Sequence, residues 1–253
     1  MFFLCPLPDC WCDPQAGSVY NETLIVFSSD NGARLLDHGR GQAGSNGAFR
    51  CGKGTTWEGG LRVPGIISYP ARIPPGKSPA LLSQLDLLPT VLGLAGLSSS
   101  LLDGVRLDGY DQTGSLVEAQ PSARQEIVYI QSSASQQFGN IHALRRGDYK
   151  AHFYTEGNIL SANEDLHCVG LRQEHSPPLL YNLAHDPAER WRLNPLNTEN
   201  YQDLLDLMVA RREELQAELV WADSRHGQSG EEAIPCCNKP CTPFPACCSC
   251  QTV

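Results

Sequence analysis

Residues 24–32 read LIVFSSDNG, and residues 51–60 read CGKGTTWEGG. The first stretch opens with four apolar residues, a pattern typical of a strand that is buried on both faces of a sheet. In α/β sheets, ligands bind just beyond the carboxyl ends of such strands. Asp30 and Asn31 lie at that end. The pattern therefore predicts an α/β fold with a ligand site immediately after this strand.

The polar residues of the two stretches suit a metal ion and an anionic ester. Asp30 and Asn31 carry the oxygen donors that calcium and magnesium prefer, and Lys53 supplies an ammonium for an anionic oxygen. Adjacent strand residues point to opposite faces, so both donors reach one ion only if the backbone turns, which Gly32 permits. Because Asp-Asn-Gly is also an ordinary turn sequence, these residues alone leave a purely structural role open.

Both stretches belong to an ordered series of blocks that resembles the sulfatase family, and within it the arylsulfatases. Each block is short, but their shared order and spacing over residues 20–250 makes coincidence a poor explanation. The further blocks lie at residues 50–64, 85–90, 94–96, 107–109, 149–153, 177–183, 186–189 and 236–250.

The resemblance implies an α/β, alkaline-phosphatase-like sulfatase fold. The chain would hold the end of the large mixed-sheet domain, followed by a smaller antiparallel-sheet domain with a packed helix. The expected segments are an unmatched stretch at 1–19, the carboxyl-terminal part of the α/β domain at 20–115, the small domain at 116–230 and a disulfide tail at 231–253.

Local patterns agree with this organisation. Short strand-like segments separated by turns favour an antiparallel sheet in the second domain. They lie at residues 127–130, 141–144, 150–153 and 179–181. Apolar residues at helical spacing predict a helix over residues 200–221 that packs on this sheet, with docking to another subunit of a homo-oligomer as the alternative. A further helix is expected at residues 85–95, capped by Asp86.

The resemblance also implies an activity, the hydrolysis of sulfate esters with one calcium ion and a formylglycine made from a cysteine. In the family, the matching aspartate and asparagine bind the metal, and the matching lysine touches the substrate sulfate. These residues are Asp30, Asn31 and Lys53 here. Metal and ammonium would polarise the sulfuryl oxygens and neutralise charge as the ester bond breaks. The expected substrate is an aryl sulfate or a sulfated glycolipid, and the donors suit calcium and magnesium alike.

The family's nucleophile segment, Cys-x-Pro-x-Arg, does not occur in this sequence. Cys5 lacks a proline two residues later, and Cys12 is followed by Ala16 where the arginine belongs. We therefore expect no catalytic residue and half of the metal ligands in this chain. The expectation is that it is inactive alone and represents a fragment, a truncated gene product or an alternative isoform of a parent sulfatase.

Two other classes of function remain open at this stage. One is a related metallo-phosphoesterase, because phosphate and sulfate esters have similar shapes, and the identity of the nucleophile would separate the two. The other is a noncatalytic module that binds a partner or joins full-length subunits.

Composition narrows the range of partners. The 253 residues carry a formal net charge of -9, which argues against nucleic acid, because phosphate binding calls for a basic face. No stretch approaches the ~20 apolar residues of a membrane-spanning helix. The hydrophobic fraction of 41% is ordinary for a globular protein of this length.

Cysteine usage indicates an oxidising compartment. Six of the 11 cysteines are packed into a proline-rich tail, which favours disulfides over zinc because adjacent cysteine pairs depart from usual zinc spacing. A zinc site formed by Cys237, Cys241, Cys248 and Cys250 is the alternative. The resemblance implies a further bridge between Cys51 and Cys168. The tail cysteines are Cys236, Cys237, Cys241, Cys247, Cys248 and Cys250.

A lysosomal or secretory parent enzyme would agree with these cysteines, although residues 1–7 lack the basic region of a signal peptide. Asn21 opens the sequence NET, a formal glycosylation acceptor.

His152 lies on a predicted strand, where a hydrogen-bonded structural histidine is expected rather than a catalyst. His38, in the glycine-rich loop after the first strand, is a weaker catalytic candidate than His152.

Overall fold

The computed structural model of the protein describes residues 16–35, 44–97, 104–130, 140–156, 168 and 172–220. Cys5, Cys12, His38 and the six tail cysteines lie outside the described residues, and the predicted segment boundaries stay predictions. The helices and strands, in chain order, are α1 (Ala16–Asn21), β1 (Ile25–Ser28), α2 (Glu58–Leu61), β2 (Gly65–Ser68), α3 (Leu87–Leu94), α4 (Thr113–Val117), β3 (Glu126–Ile130), β4 (Ile141–Arg146), β5 (Tyr149–Glu156), β6 (Arg172–Asn182) and α5 (Tyr201–Glu218).

The first sheet is an antiparallel pair of short strands, in which Ile25 of β1 faces Ser68 of β2. The sequence correctly predicted a strand here, but the expected burial on both faces is wrong. Ile25, Val26 and Phe27 are 42%, 39% and 56% exposed. Among the described residues β1 pairs with β2 alone. A strand is buried on both faces only when other elements cover both faces of its sheet. The sequence of the strand cannot show whether this chain supplies those elements.

The second sheet has four antiparallel strands in the order β3-β4-β5-β6. This arrangement confirms the predicted small antiparallel sheet. One apolar row crosses all four strands, since Val128 faces Leu144, Leu144 faces Ala151, and Ala151 faces Leu180. Such cross-strand neighbours on one face are the unit of sheet stabilisation, and here they form the floor of a core.

Helix α5 covers that row, which confirms the predicted helix over the small sheet. Leu204 and Met208 are buried in one cluster with Leu144, Ala151 and Leu180. The helical period of about 3.6 residues places Leu204 and Met208, four residues apart, on the same face. At the edge of the sheet, Arg211 forms a 2.7 Å ion pair with Glu126. In the described residues no helix is both long and apolar enough to span a bilayer.

The start of α3 differs from expectation. Asp86 makes no side-chain cap to α3, which begins at Leu87. Instead, a 3₁₀ turn at Gln84–Asp86 precedes the helix. Ser83 caps this turn, and the Asp86 side chain accepts from the Ser83 N–H to complete a capping box. The Asp86 carboxylate is also paired with Arg124, whose Nη2 lies 2.6 Å from Oδ1. A buried charge needs such a partner, so Asp86 serves the tertiary contact as well as the turn.

Candidate functional site

Asp30 and Asn31 form a tight turn just after β1. The backbone N–H of Asn31 donates to Asp30 Oδ1 at 2.9 Å, and its side-chain Nδ2 donates to the carbonyl of Gly32 at 2.8 Å. Ser29 Oγ donates to the Asn31 carbonyl at 2.9 Å. These bonds use the donors of the turn, so Asp30 Oδ2 and Asn31 Oδ1 are left without a hydrogen bond from any described residue. Both oxygens can serve as ligands.

Gly32 brings this turn against the block that contains Lys53. Its N–H donates to the Gly60 carbonyl at 2.9 Å. A Cβ at this position would lie 1.7 Å from the Gly59 carbonyl oxygen, so only glycine permits the approach. One residue later, the carbonyl of Ala33 accepts from the Lys53 N–H at 3.0 Å. The structure thereby places the segment after Asp30 and Asn31 directly beside the lysine loop.

Lys53 itself lies at an exposed turn. The turn closes with a 3.1 Å hydrogen bond from the Thr55 N–H to the Gly52 carbonyl, and Gly54 supplies a φ of +91°. The Lys53 ammonium forms no ion pair with any other residue that the structure describes. A compact charge in this setting is available to an anionic oxygen.

Asp30 and Asn31 could supply only some of the ligands of a metal ion. Calcium takes about six to eight oxygen ligands, and Asp30 and Asn31 supply two side chains. Across the described ranges, no group of three or more His, Cys, Asp or Glu side chains could hold a metal. The chemistry of the two donors fits a hard cation, and the remaining ligands would have to come from water or from outside these residues.

A disulfide anchors the amino side of the lysine loop. Cys51 and Cys168 are bonded, with their Cα atoms 5.1 Å apart, which is the bridge that the family resemblance implies. Cys51 is buried with Trp57, Leu179 and Tyr181. The bridge therefore ties the loop to Cys168, and Cys51 itself packs with the apolar residues of β6.

A buried network of charged and polar side chains anchors the carboxyl side. Lys150 Nζ lies 2.9 Å from Glu58 Oε1 and 3.1 Å from Glu189 Oε1. His152 Nε2 donates to Glu189 Oε1 at 2.6 Å, and Thr56 Oγ1 lies 3.0 Å from His152 Nδ1. His152 is thus hydrogen-bonded and buried, which confirms its structural reading. Sequence reasoning missed the other members, although all lie within the recognised blocks.

The charges of this network follow from its burial and its partners. Burial alone would raise the pKa of Glu189, but the charge of Lys150 and the hydrogen bond from His152 outweigh it and lower that pKa to about 2. Burial would lower the pKa of Lys150, whereas the Glu189 and Glu58 carboxylates raise it. Burial lowers the pKa of His152. At neutral pH the network therefore holds a charged lysine, an ionised Glu189 and a neutral histidine.

Hydrogen bonds connect Thr56, His152 and Glu189 in the order of a hydroxyl, base and acid triad. Catalysis by such a triad requires that substrate reach the hydroxyl. The three residues are 2%, 0% and 0% exposed, so substrate cannot reach them in this structure. Because Glu189 accepts from His152 Nε2, a neutral imidazole leaves Nδ1 to accept the Thr56 hydroxyl. The geometry assigns these residues a structural role.

Asn21 lies exposed at the end of α1, and its backbone carbonyl accepts from the Ala71 N–H at 3.0 Å. Its side chain is open to solvent, as an acceptor of a glycan must be. Glycosylation at Asn21 stays a prediction.

Family models match the sequence of this chain on both sides of residue 100. A model of the sulfatase family matches residues 15–97, and a model described as the C-terminal region of aryl-sulfatase matches residues 122–250. The chain is 39% identical to arylsulfatase A of Homo sapiens over 237 residues, 90% of this chain and 45% of that protein. It is 36% identical to N-acetylgalactosamine-6-sulfatase of Canis lupus familiaris over 215 residues, 80% of this chain and 39% of that protein.

Among solved structures, the PsFucS1 sulfatase from Pseudoalteromonas sp. superposes with a TM-score of 0.63 and 28% identity, over 81% of this chain and 39% of that one. The chain thus spans less than half the length of the relatives that it matches. The structural likeness confirms the expected alkaline-phosphatase-like sulfatase fold. On the family matches to both of its sheets, the chain belongs to the sulfatase family.

Proposed function

We propose that this chain forms part of a sulfuric ester hydrolase of the arylsulfatase type. In this proposal Lys53 binds the sulfate, and Asp30 and Asn31 hold a calcium ion. The observation that carries it is the pair of backbone hydrogen bonds from Gly32 to Gly60 and from Lys53 to Ala33, at 2.9 and 3.0 Å. They hold the two metal donors and the ammonium on adjacent segments, as one shared sulfate ester would require.

Each residue has a defined part in the reaction. The Lys53 ammonium would orient the sulfate and offset the negative charge that grows as the ester bond breaks. Asp30 and Asn31 would bind the cation through Oδ2 and Oδ1, which accept no hydrogen bond from the described residues. The bound cation would supply Lewis-acid polarisation of the sulfuryl oxygens. The nucleophile, a formylglycine made from a cysteine, would come from a segment outside this sequence.

Substrate and location follow as parts of the same proposal. The substrate is a sulfate ester, either an aryl sulfate or a sulfated glycolipid. The disulfide between Cys51 and Cys168 supports a lysosomal or secretory location, because disulfides persist in oxidising compartments. On this route the exposed Asn21 would be available for glycosylation.

The test joins this chain to the amino-terminal half of human arylsulfatase A and measures hydrolysis of p-nitrophenyl sulfate and p-nitrophenyl phosphate. We expect calcium-dependent cleavage of the sulfate. Lys53→Ala should lower kcat/KM by about a hundredfold, because a positioned charge at the reacting group is removed. Lys77→Ala is the matched control, since Lys77 is also exposed and lies in a different loop.

A second readout follows the metal without activity. Calcium should raise the melting temperature of the joined protein, and Asp30→Ala with Asn31→Ala should abolish that rise. Asp206→Ala, on the exposed face of α5, should leave it unchanged. Cleavage of the phosphate and not the sulfate would indicate a metallo-phosphoesterase. A folded protein that cleaves neither ester would indicate a noncatalytic module.

A further inference from the structure

The loop that carries Lys53 is held on both flanks by the second sheet and the segment after it. On the amino side, Cys51 is bonded to Cys168, and Arg50 Nη1 donates to the carbonyl of Glu189 at 3.3 Å. On the carboxyl side, the Thr56 hydroxyl contacts the His152 ring. Lys53, between these flanks, is exposed.

Glu189 takes part in the contacts on both flanks. Its Oε1 accepts from His152 Nε2 and lies 3.1 Å from Lys150 Nζ. Its Oε2 accepts from the backbone N–H of Glu58 at 2.6 Å, and its carbonyl accepts from Arg50. Glu189 has a φ of +53°, a region that side-chain-bearing residues adopt only when their surroundings hold them there. One buried residue therefore joins the start and the end of the loop.

Packing reinforces these hydrogen bonds. Trp57, 1% exposed, contacts both the Arg50 guanidinium, 3.9 Å from its ring centroid, and the His152 ring, 4.4 Å away. Tyr181 meets the same indole edge-on at 5.7 Å. A shift of the loop relative to β5 would therefore break buried contacts as well as hydrogen bonds.

We propose that Glu189 is a positioning residue for the sulfate site, because it holds both flanks of the loop from which the Lys53 ammonium reaches the sulfate. This inference rests on the proposed function. Glu189 is 0% exposed and therefore closed to substrate, so it acts through the loop. The effect matters because misplacing a catalytic group by about 1 Å can lower a rate by about a hundredfold.

The first test measures amide hydrogen exchange of the full chain in three variants. Glu189→Gln removes the charge of the carboxylate, Thr56→Val removes only the hydroxyl, and Thr56→Ser restores it. Exchange at the hydrogen-bonded amides of the loop, those of Lys53 and Thr55, should become about tenfold faster or more in Glu189→Gln, because a charge-assisted network is lost. Thr56→Val should give a smaller increase, about threefold, and Thr56→Ser should match the parent chain.

The comparison with α5 separates positioning from general stability. Peptides covering Leu204 and Met208 should keep their exchange rates in Thr56→Val. If Thr56→Val accelerated amide exchange equally in the loop and in α5, the proposal would be overturned. Unchanged exchange in both Glu189→Gln and Thr56→Val would overturn it as well. If Glu189→Gln does not fold, Thr56→Val decides the question, since valine has nearly the shape of threonine.

The kinetic arm uses the joined sulfatase described above. Thr56→Val should lower kcat/KM for p-nitrophenyl sulfate by about tenfold at an unchanged melting temperature, and Thr56→Ser should restore it. Unchanged kcat/KM in Thr56→Val would overturn the positioning role. Local loop acceleration in the chain, combined with no sulfatase activity in the joined protein, would uphold the anchoring by Glu189 and reject the proposed function instead.

Discussion

Replacing Asp86 by asparagine should strongly lower the free energy of unfolding of the protein. Asp86 is 2% exposed and Arg124 7%. Arg124 donates to the carboxylate through Nε at 3.0 Å and through Nη2 at 2.6 Å. Burial would raise the pKa of Asp86, but the bonds from Arg124 and from the N–H groups of Tyr110 and Ser83 lower it, so the carboxylate is ionised at neutral pH.

The size of the effect follows from what Asp86→Asn leaves behind. The amide has nearly the shape of the carboxylate but carries no charge, and one acceptor oxygen becomes an NH2 donor. Arg124 would then keep the carbonyls of Glu126 and Asp108 as its neutral partners. Removing one partner of a buried ion pair costs about 3–5 kcal/mol. That is a large share of a typical unfolding free energy of about 5–15 kcal/mol.

Urea unfolding of the full chain, followed by tryptophan fluorescence, measures this loss. Glu126→Gln is the matched control, because its 2.7 Å pair with Arg211 is partly exposed, with side chains 22% and 26% accessible. Solvent screening should limit the cost of that control to below about 1 kcal/mol. A loss for Asp86→Asn no greater than for Glu126→Gln would refute the reasoning from burial.

Three further predictions concern the core, the disulfide and a buried histidine. Met208→Ala should cost about 2–5 kcal/mol in urea unfolding because Met208 is fully buried, whereas Leu207→Ala, at a site 46% exposed, should cost below about 1 kcal/mol. Similar losses would contradict the packing of α5. Cys168→Ser opens a bridge between residues 117 apart and should lower the unfolding free energy by about 2–5 kcal/mol; an unchanged urea midpoint would speak against the bridge. Burial, helped by two nearby arginines, lowers the pKa of His142 from 6.5 to about 4. As the pH falls, the unfolded chain therefore binds this proton at a higher pH than the folded protein does. The contribution of His142 to the free energy of unfolding is complete above pH 6.5 and is lost as the pH falls toward 4. His142→Leu should flatten that slope, and identical pH profiles would count against it.

The second sheet and its helix could be predicted because their signals are local. The short strand-like segments of β4 and β5 and the helical spacing of Leu204 and Met208 each depend on a few consecutive residues. The helix occupies Tyr201–Glu218, within the predicted range of 200–221. The apolar run at residues 24–27 also identified β1 as a strand.

The burial of β1 and the role of Asp86 could not be predicted in the same way. Whether an apolar strand is buried depends on how many layers cover its sheet, and Phe27 is 56% exposed here. Asp86 and Arg124 are 38 residues apart, and no periodicity connects them. A carboxylate in the first turn of a helix predicts a cap, and only the fold shows that an arginine has reached it.

The sequence by itself determined the family, the strands and helix of the second sheet, and the residue types that are candidates for binding a sulfate ester and a cation. Those features depend on short motifs and local spacing. The tertiary structure alone decided that the Lys53 loop is anchored by Glu189, whose carboxylate binds the Glu58 N–H from 131 residues away. It also decided that Thr56, His152 and Glu189 are closed to substrate. Burial and the pairing of charges depend on distances in space, and sequence separation does not contain those distances.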